Sequence, residues 1–327
     1  MLLPSISNAL PACLWLLSIG GLAYLIAAIA IALQFPWRVP EPDPAFAPPI
    51  SILKPLCGLS TTTYDDLASF CTQDYPSYQI IFALRDWQDP VLPVVRRLII
   101  NHPRLDLQLV VNDQALGANF KVNNLAHAAS SAQHDLLLLA DSDIRVHARF
   151  LREVVQPFQS ARVGLVTCLY RSIPDGWLAA FEALATSTEF LPGVLVARRL
   201  EGMRFALGAT ILVRRPVLNQ IGGFPSLANY LADDFVLGHR CASFGHAVIL
   251  SSTVVNHHVS CRSPAEMVAH QLRWYRGNRF CRPWGYLGLL FTYGSVSSFM
   301  LLCLSTTTPT VWLLVALTWS LRILLAW

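Results

Sequence analysis

Hydrophobic positions follow three different patterns along this chain. From Asn8 to Leu33 no residue is charged, a run long enough to cross the roughly 30 Å hydrocarbon core of a bilayer as a helix. Pro36, Pro40, Pro42, Pro44, Pro48 and Pro49 then stiffen a linker with no helix or sheet potential. In the second pattern, short apolar runs bounded by polar residues alternate with segments of helical character. The runs Ile50–Leu56, Tyr78–Leu84, Leu105–Val111 and His134–Ala140 predict strands, and Tyr64–Thr72, Val91–Asn101 and Phe120–Ser131 predict helices between them. Such alternation implies right-handed βαβ units and a mainly parallel sheet. Further on, strands are expected at Val163–Leu169 and Ala206–Val213, with an apolar helical stretch, Gly176–Leu191, between them. A helix over Phe235–Phe244 begins at the acid pair Asp233-Asp234. The third pattern closes the sequence. Pro264–Phe280 reads as a helix on a membrane surface, and 284–304 and 309–327 as two more spans, uncharged except for Arg322.

Composition sharpens this picture. Hydrophobic residues make up 54% of the 327 and charged residues only 13%, against roughly 25% charged in a soluble domain. A cleaved leader would call for basic residues ahead of the first apolar run and a small-residue cleavage pattern; neither is present, so an uncleaved anchor is expected. Basic residues set the orientation. None precedes the first span, Arg38 follows it, and Arg262, Arg273, Arg276, Arg279 and Arg282 precede the second. The region between therefore faces the cytoplasm. The net charge of +4 comes mostly from that arginine cluster, which suits an anionic membrane surface and not nucleic acid. Eight cysteines lack metal-binding spacing, and Cys57, Cys71, Cys168 and Cys241 are read as free thiols. The expected organisation is an anchor over 8–33, a linker over 34–49, a catalytic domain over 50–262, an interfacial helix over 263–282, and spans at 284–304 and 309–327.

Candidate chemistry gathers at the predicted strand ends. Asp141 and Asp143 follow the strand that ends at Ala140, where open α/β sheets bind ligands. Acids at i and i+2 suit one divalent ion, Mg²⁺ or Mn²⁺, whose oxygen shell nucleotide phosphates and water complete; the plainer role is an N-cap. Asp86 and Asp89 follow the Tyr78–Leu84 strand and suit a base edge or ribose hydroxyl, or ordinary turn chemistry. Lys121, near the start of a helix, can reach a phosphate. Asp233 and Asp234 stand between apolar residues, where a desolvated carboxylate gains basicity. His270, Arg273 and Trp274 share a helix face; Arg273 can grip a phosphate and Trp274 can wall an acceptor site. His257 and His258 read as strand or loop residues, with a metal or pyrophosphate contact as the other choice.

Together these residues resemble a processive-type family 2 or family 21 glycosyltransferase, in the branch of the ceramide glucosyltransferases and the bacterial hopanoid-biosynthesis-associated glycosyltransferases. The resemblance runs from about Pro49 to Tyr286. It rests on Ser51-Ile52-Leu53-Lys54-Pro55-Leu56, Gln73-Asp74-Tyr75-Pro76, Asp89-Pro90, Lys121-x-Asn123-Asn124-Leu125, Asp141-Ser142-x-Ile144-Arg145-Val146, Val163-Gly164-Leu165-Val166 and Asp234. It implies a Rossmann-like GT-A domain on the cytoplasmic face, using a UDP-sugar and a divalent ion. The family's three aspartates match Asp89, Asp141 and the presumed base Asp234. The final motif begins with His270 where the family usually has Gln or Arg. Asp143, a Gly in animal ceramide enzymes, leans toward a bacterial branch and an inner-membrane location. The expected activity is inverting transfer of a hexose or N-acetylhexosamine from UDP-glucose or UDP-N-acetylglucosamine to a hydroxyl of a membrane lipid, ceramide-like or a hopanoid polyol. Asp141 and Asp143 would hold the ion, Asp86, Asp89, Lys121 and Asp233 would help seat the nucleotide-sugar, and Asp234, His270, Arg273 and Trp274 would serve the reaction. A metal-dependent hydrolase or phosphotransferase acting on a lipid diphosphate is the alternative.

Overall fold

Four successive leucines, Leu136–Leu139, form the middle of the sheet because a strand buried on both faces must be apolar at every position. The computed structural model describes residues 3–261, 263–305 and 308–326. Arg262, Thr306, Thr307 and Trp327, on which the expected domain end, turn and last span partly fall, lie outside them. Two units are distinguished, one comprising Pro36–Ala183 and Glu201–Met267, the other Met1–Phe35, Leu184–Leu200 and Val268–Trp327.

The first unit is built on an eight-stranded sheet. Its strands are β1 (Ile50–Pro55), β2 (Tyr78–Leu84), β3 (Asp106–Val111), β4 (Leu136–Ala140), β5 (Ile144–Arg145), β6 (Val163–Asp175), β7 (Thr210–Arg214) and β8 (Ala247–Ser260), in the order β3-β2-β1-β4-β7-β6-β8-β5. β1 pairs in parallel with both β2 and β4, whereas β7 runs antiparallel between β4 and β6. The chain steps outward from β1 to β2 and β3, then returns to β4 on the other side of β1. That reversal opens a crevice at the carboxyl ends of β1 and β4, the place where doubly wound sheets bind ligands.

Period-two alternation sorts the strand side chains between two layers. Leu53, Ile81, Leu137, Leu139, Ile211 and Val213 share one core cluster with Val122, Leu125 and Ala128 of the helix Phe120–Ser131 and Leu237 and Cys241 of the helix Asp233–Ser243. Burying each such leucine contributes roughly 1.5–3 kcal/mol. The packing therefore fixes both helices, and with them Lys121, Asp233 and Asp234, over the crevice side of the sheet.

The two short or irregular strands were not predicted. β5 has only two residues, and β8 carries Ser251-Ser252 and His257-His258, which break its apolar rhythm. The register between β6 and β8 also shifts around Cys168 and Leu169.

In the second unit, Ala9–Gln34 and Pro283–Leu304 are long and apolar enough to cross a membrane, and Pro309–Leu325 is a shorter apolar helix. Small residues let the first two meet closely. A Cβ built on Gly21 would lie 2.3 Å from the Gly294 Cα. Ser18 Oγ donates to Ser297 Oγ at 3.1 Å nearby. Without a hydrophobic force between helices in lipid, such backbone approach and hydroxyl contacts are what hold a bundle together. Gly21→Leu is expected to force the helices apart and cost about 2 kcal/mol, read as a lower thermal midpoint of the detergent-solubilised protein; an unchanged midpoint would show that this contact is not tight.

Candidate active site

Asp141 is the first residue past β4, and its backbone N–H donates to Ala209 O at 3.2 Å, continuing the pairing toward β7. Its Oδ1 lies 2.6 Å from Lys121 Nζ. Lys121 stands in the first turn of the Phe120–Ser131 helix and also donates to Gly208 O at 3.4 Å. Burial alone would lower the Lys121 pKa, but the neighbouring Asp141 carboxylate outweighs it and the ammonium is held above its usual range. Burial also raises Asp141, against the pull of Lys121.

Asp143 faces the strand β8. The β5–β8 pairing sets Ile144 opposite His257, and His258 N donates to Asp143 O at 2.9 Å. His257 Nε2 consequently lies 3.3 Å from Asp143 Oδ2. Burial opposes both charges, yet their contact prevails, so His257 is held above the ordinary imidazole range and Asp143 below the ordinary carboxylate range. The next residue points to the opposite face. His258 Nδ1 and Arg145 Nε each lie 2.8 Å from Oδ1 of the fully buried Asp66, tying the short β5 to the helix Thr63–Cys71. This fixes the turn that carries both acids.

Lys54 supports the same turn from inside. Its side chain is wholly buried, stands 3.6 Å over the Phe70 ring and donates to Asp141 O at 2.7 Å. Burial pushes its ammonium down to about 7. In its protonated form it lowers the cost of holding two carboxylates one residue apart.

Asp233 and Asp234 open the Asp233–Ser243 helix. Asn119 bridges to Asp233: its Nδ2 donates to Asp233 Oδ1 at 3.1 Å and to Tyr230 O at 2.8 Å, while its Oδ1 caps Val122 N. Phe235 N donates to Asp234 Oδ1 at 2.8 Å. Burial, reinforced by Asp233, pushes Asp234 up to about 6. Its other oxygen, Oδ2, would stand 2.9 Å from a Cβ on Gly208, so only glycine leaves the carboxylate its place there.

Asp86 and Asp89 lie at the end of β2 and serve the loop backbone. Asp89 accepts from Gly58 N at 3.0 and 3.1 Å and from Val91 N at 2.9 Å, which joins the loops after β1 and β2. Exposed Asp86 accepts from Gln88 N at 2.9 Å. Lys121, Asp141, Asp143, Asp233 and Asp234 thus converge, while Asp86 and Asp89 shape the neighbouring rim. His270, Arg273 and Trp274 belong to the other unit, where Trp274 Nε1 donates to His270 Nε2 at 3.1 Å and Arg273 is exposed. Lys54 and Gly208 were missed as site residues, since Lys54's partner carbonyl is far away in sequence and a glycine carries no chemistry of its own.

The acids suit a divalent ion. Asp143 Oδ1 is buried without a hydrogen-bond partner, and the cation that now meets Asp141 is the Lys121 ammonium. Among the described residues no three His, Cys, Asp or Glu side chains group as a metal centre. An ion held here would draw on two carboxylates and on phosphate oxygens, the usual mode for Mg²⁺ at a nucleotide.

Comparison with known proteins agrees with this geometry. The profile of glycosyl transferase family 21 matches residues 13–327. Ceramide glucosyltransferase 1 of Caenorhabditis elegans is 29% identical over 246 residues, 75% of this chain and 52% of that protein. Ceramide glucosyltransferase 3 of the same organism is 26% identical over 256 residues, 77% of this chain and 56% of that protein. The chain thus spans about half the length of these relatives. A mannosyltransferase from Pyrobaculum calidifontis, solved in complex with GDP-Man and Mn²⁺, shares the fold with a TM-score of 0.57 at 19% identity, over 99% of this chain and 98% of that one.

Proposed function

The chain belongs to glycosyl transferase family 21, and from that membership we propose that it is an inverting, membrane-bound lipid glycosyltransferase. It would move a hexose or N-acetylhexosamine from a UDP-sugar to a lipid hydroxyl, ceramide-like or a hopanoid polyol. One observation carries the reading: Asp141, paired with Lys121, shares the mouth of the β1–β4 crevice with a half-buried Asp234 of raised basicity. The apolar helices would anchor the chain in a membrane, with the sheet domain on its cytoplasmic side.

In this mechanism the acceptor oxygen bonds to the anomeric carbon as the bond from that carbon to the diphosphate breaks. Asp234 takes the hydroxyl proton, so the oxygen attacks as an incipient alkoxide. Lys121 meets the negative charge of the departing UDP, and Arg273 is proposed as the guanidinium that grips its phosphate. Asp141 and Asp143 would hold Mg²⁺ or Mn²⁺, which supplies further charge neutralisation on the diphosphate. Asp86, Asp89 and Asp233 would help seat the nucleotide-sugar through the loops they order. Trp274, with His270 accepting from its indole, would form part of the acceptor wall.

The test is transfer of radiolabelled sugar from UDP-glucose and UDP-N-acetylglucosamine to an extracted lipid fraction by membranes bearing the protein. Labelled lipid is the expected product. Released sugar or phosphate without labelled lipid would instead favour a hydrolase. A pH profile follows from the base role. Asp234 is active only as the carboxylate, and burial raises its pKa to about 6. Hence kcat/KM should be level above that value and fall about tenfold per unit below it. A profile that stays flat down to pH 5 would remove Asp234 as the base.

A further inference from the structure

An ion pair lies among the apolar helices of the second unit. Arg322 is the single charged residue of the helix Pro309–Leu325. Its Nη1 donates to Glu189 Oε1 at 3.0 Å and its Nη2 donates to Thr292 O at 3.1 Å. Charged groups among apolar helices are costly and persist where they serve binding or transport. Glu189 sits in the wide π-type turn Thr186–Phe190, inserted between the helices Trp177–Ala185 and Leu191–Glu201. Turns of this kind break helical regularity and concentrate at functional sites.

The same turn reaches the conspicuous aromatic motif. Phe190, the residue after Glu189, packs edge-on against Trp274 with ring centroids 5.5 Å apart. The turn therefore joins an oriented carboxylate to the aromatic wall. Arg322 occupies only one carboxylate oxygen, and among the described residues Oε2 has no hydrogen-bond partner. Glu189 keeps 30% of its side-chain exposure, whereas Arg322 keeps 17%. The guanidinium is the recessed partner and the carboxylate the presented one. Close by, the Tyr24 hydroxyl is buried without a hydrogen-bond partner.

We propose that Glu189, oriented by Arg322, recognises the acceptor's polar head by accepting a hydrogen bond from its hydroxyl or amide N–H. The inference rests on the lipid-acceptor reading above and assigns the acceptor class: an amphiphile whose head donates hydrogen bonds, with its apolar part against Phe190 and Trp274. A carboxylate with one oxygen already fixed is preorganised for a neutral donor, and it disfavours an anionic head by repulsion. Arg322 is a positioning residue in this arrangement.

The experiment uses the full chain in detergent–lipid micelles, with UDP-glucose or UDP-N-acetylglucosamine as donor and a short-chain ceramide as acceptor probe, and measures KM for each substrate. Glu189→Gln, which keeps size and an oxygen for Arg322, should raise the acceptor KM about tenfold and leave the donor KM within about twofold. The double variant Glu189→Arg/Arg322→Glu restores an ion pair but moves the carboxylate, so its acceptor KM should stay raised. An acceptor KM unmoved in Glu189→Gln, or returned to normal by the double variant, would overturn recognition and leave a structural pair. If the wild type transfers sugar neither to the probe nor to any extracted lipid, the lipid-acceptor reading itself falls.

Discussion

Asp234→Asn is expected to lower sugar transfer by about a thousandfold or more while UDP-sugar binding survives. The amide occupies nearly the same volume and can still accept from Phe235 N, which bonds Asp234 Oδ1 at 2.8 Å. What it lacks is a basic lone pair. General-base catalysis contributes about 10²–10⁴ in rate, and burial raises the proposed base to about 6, close to the value that balances ionisation against proton affinity near neutrality. Transfer kinetics and equilibrium binding of the UDP-sugar, measured on the same preparation, separate the two effects. If binding is lost with activity, Asp234 seats the nucleotide and the base must be sought elsewhere. A variant that retains wild-type transfer would remove it from both roles.

Asp141→Ala, and separately removal of divalent ions with EDTA, should each reduce transfer by about 10²–10³. Unlike the loss at Asp234, this one should include weaker donor binding, since the ion and Asp141 are proposed to act on the diphosphate in the ground state as well. Added Mg²⁺ or Mn²⁺ should restore the chelated wild type but not the variant. A second consequence concerns Lys121, whose Nζ lies 2.6 Å from Asp141 Oδ1. Deprived of that carboxylate, the ammonium loses the neighbour that holds its pKa up. Asp141→Asn, which keeps the shape, separates lost charge from lost packing. Undiminished transfer in EDTA would remove the ion from the reaction and leave Lys121 and Arg273 to meet the leaving group's charge.

Much of the sheet was legible because its strands obey a local rule. β1, β2, β3 and β4 are short apolar runs between turn residues, and the helices between them follow amphipathic spacing. β8 escaped because its pairs of serines and histidines break the alternation, and because its pairing with the long β6 is specified only when distant segments meet. Among candidate site residues, Asp141, Asp143, Lys121, Asp233 and Asp234 could be picked out by chemistry and position, and the fold brings them together. The backbone-serving roles of Asp86 and Asp89 were among the alternatives for such a turn, and their hydrogen bonds display them. The function of Lys54 had no local signal, since its partner carbonyl is 87 residues away.

The order of residues by itself determined the family, the alternating α/β architecture, the apolar helices at either end and the acids at the end of β4. These depend on periodicity, composition and motif, which are properties of neighbours in sequence. Tertiary structure alone decided which ionisable group meets which: Lys121 with Asp141, His257 with Asp143, His258 and Arg145 with Asp66, and Arg322 with Glu189. The reason is physical. Desolvation and Coulomb interaction depend on distance through space and on burial, and neither can be read from a spacing along the chain.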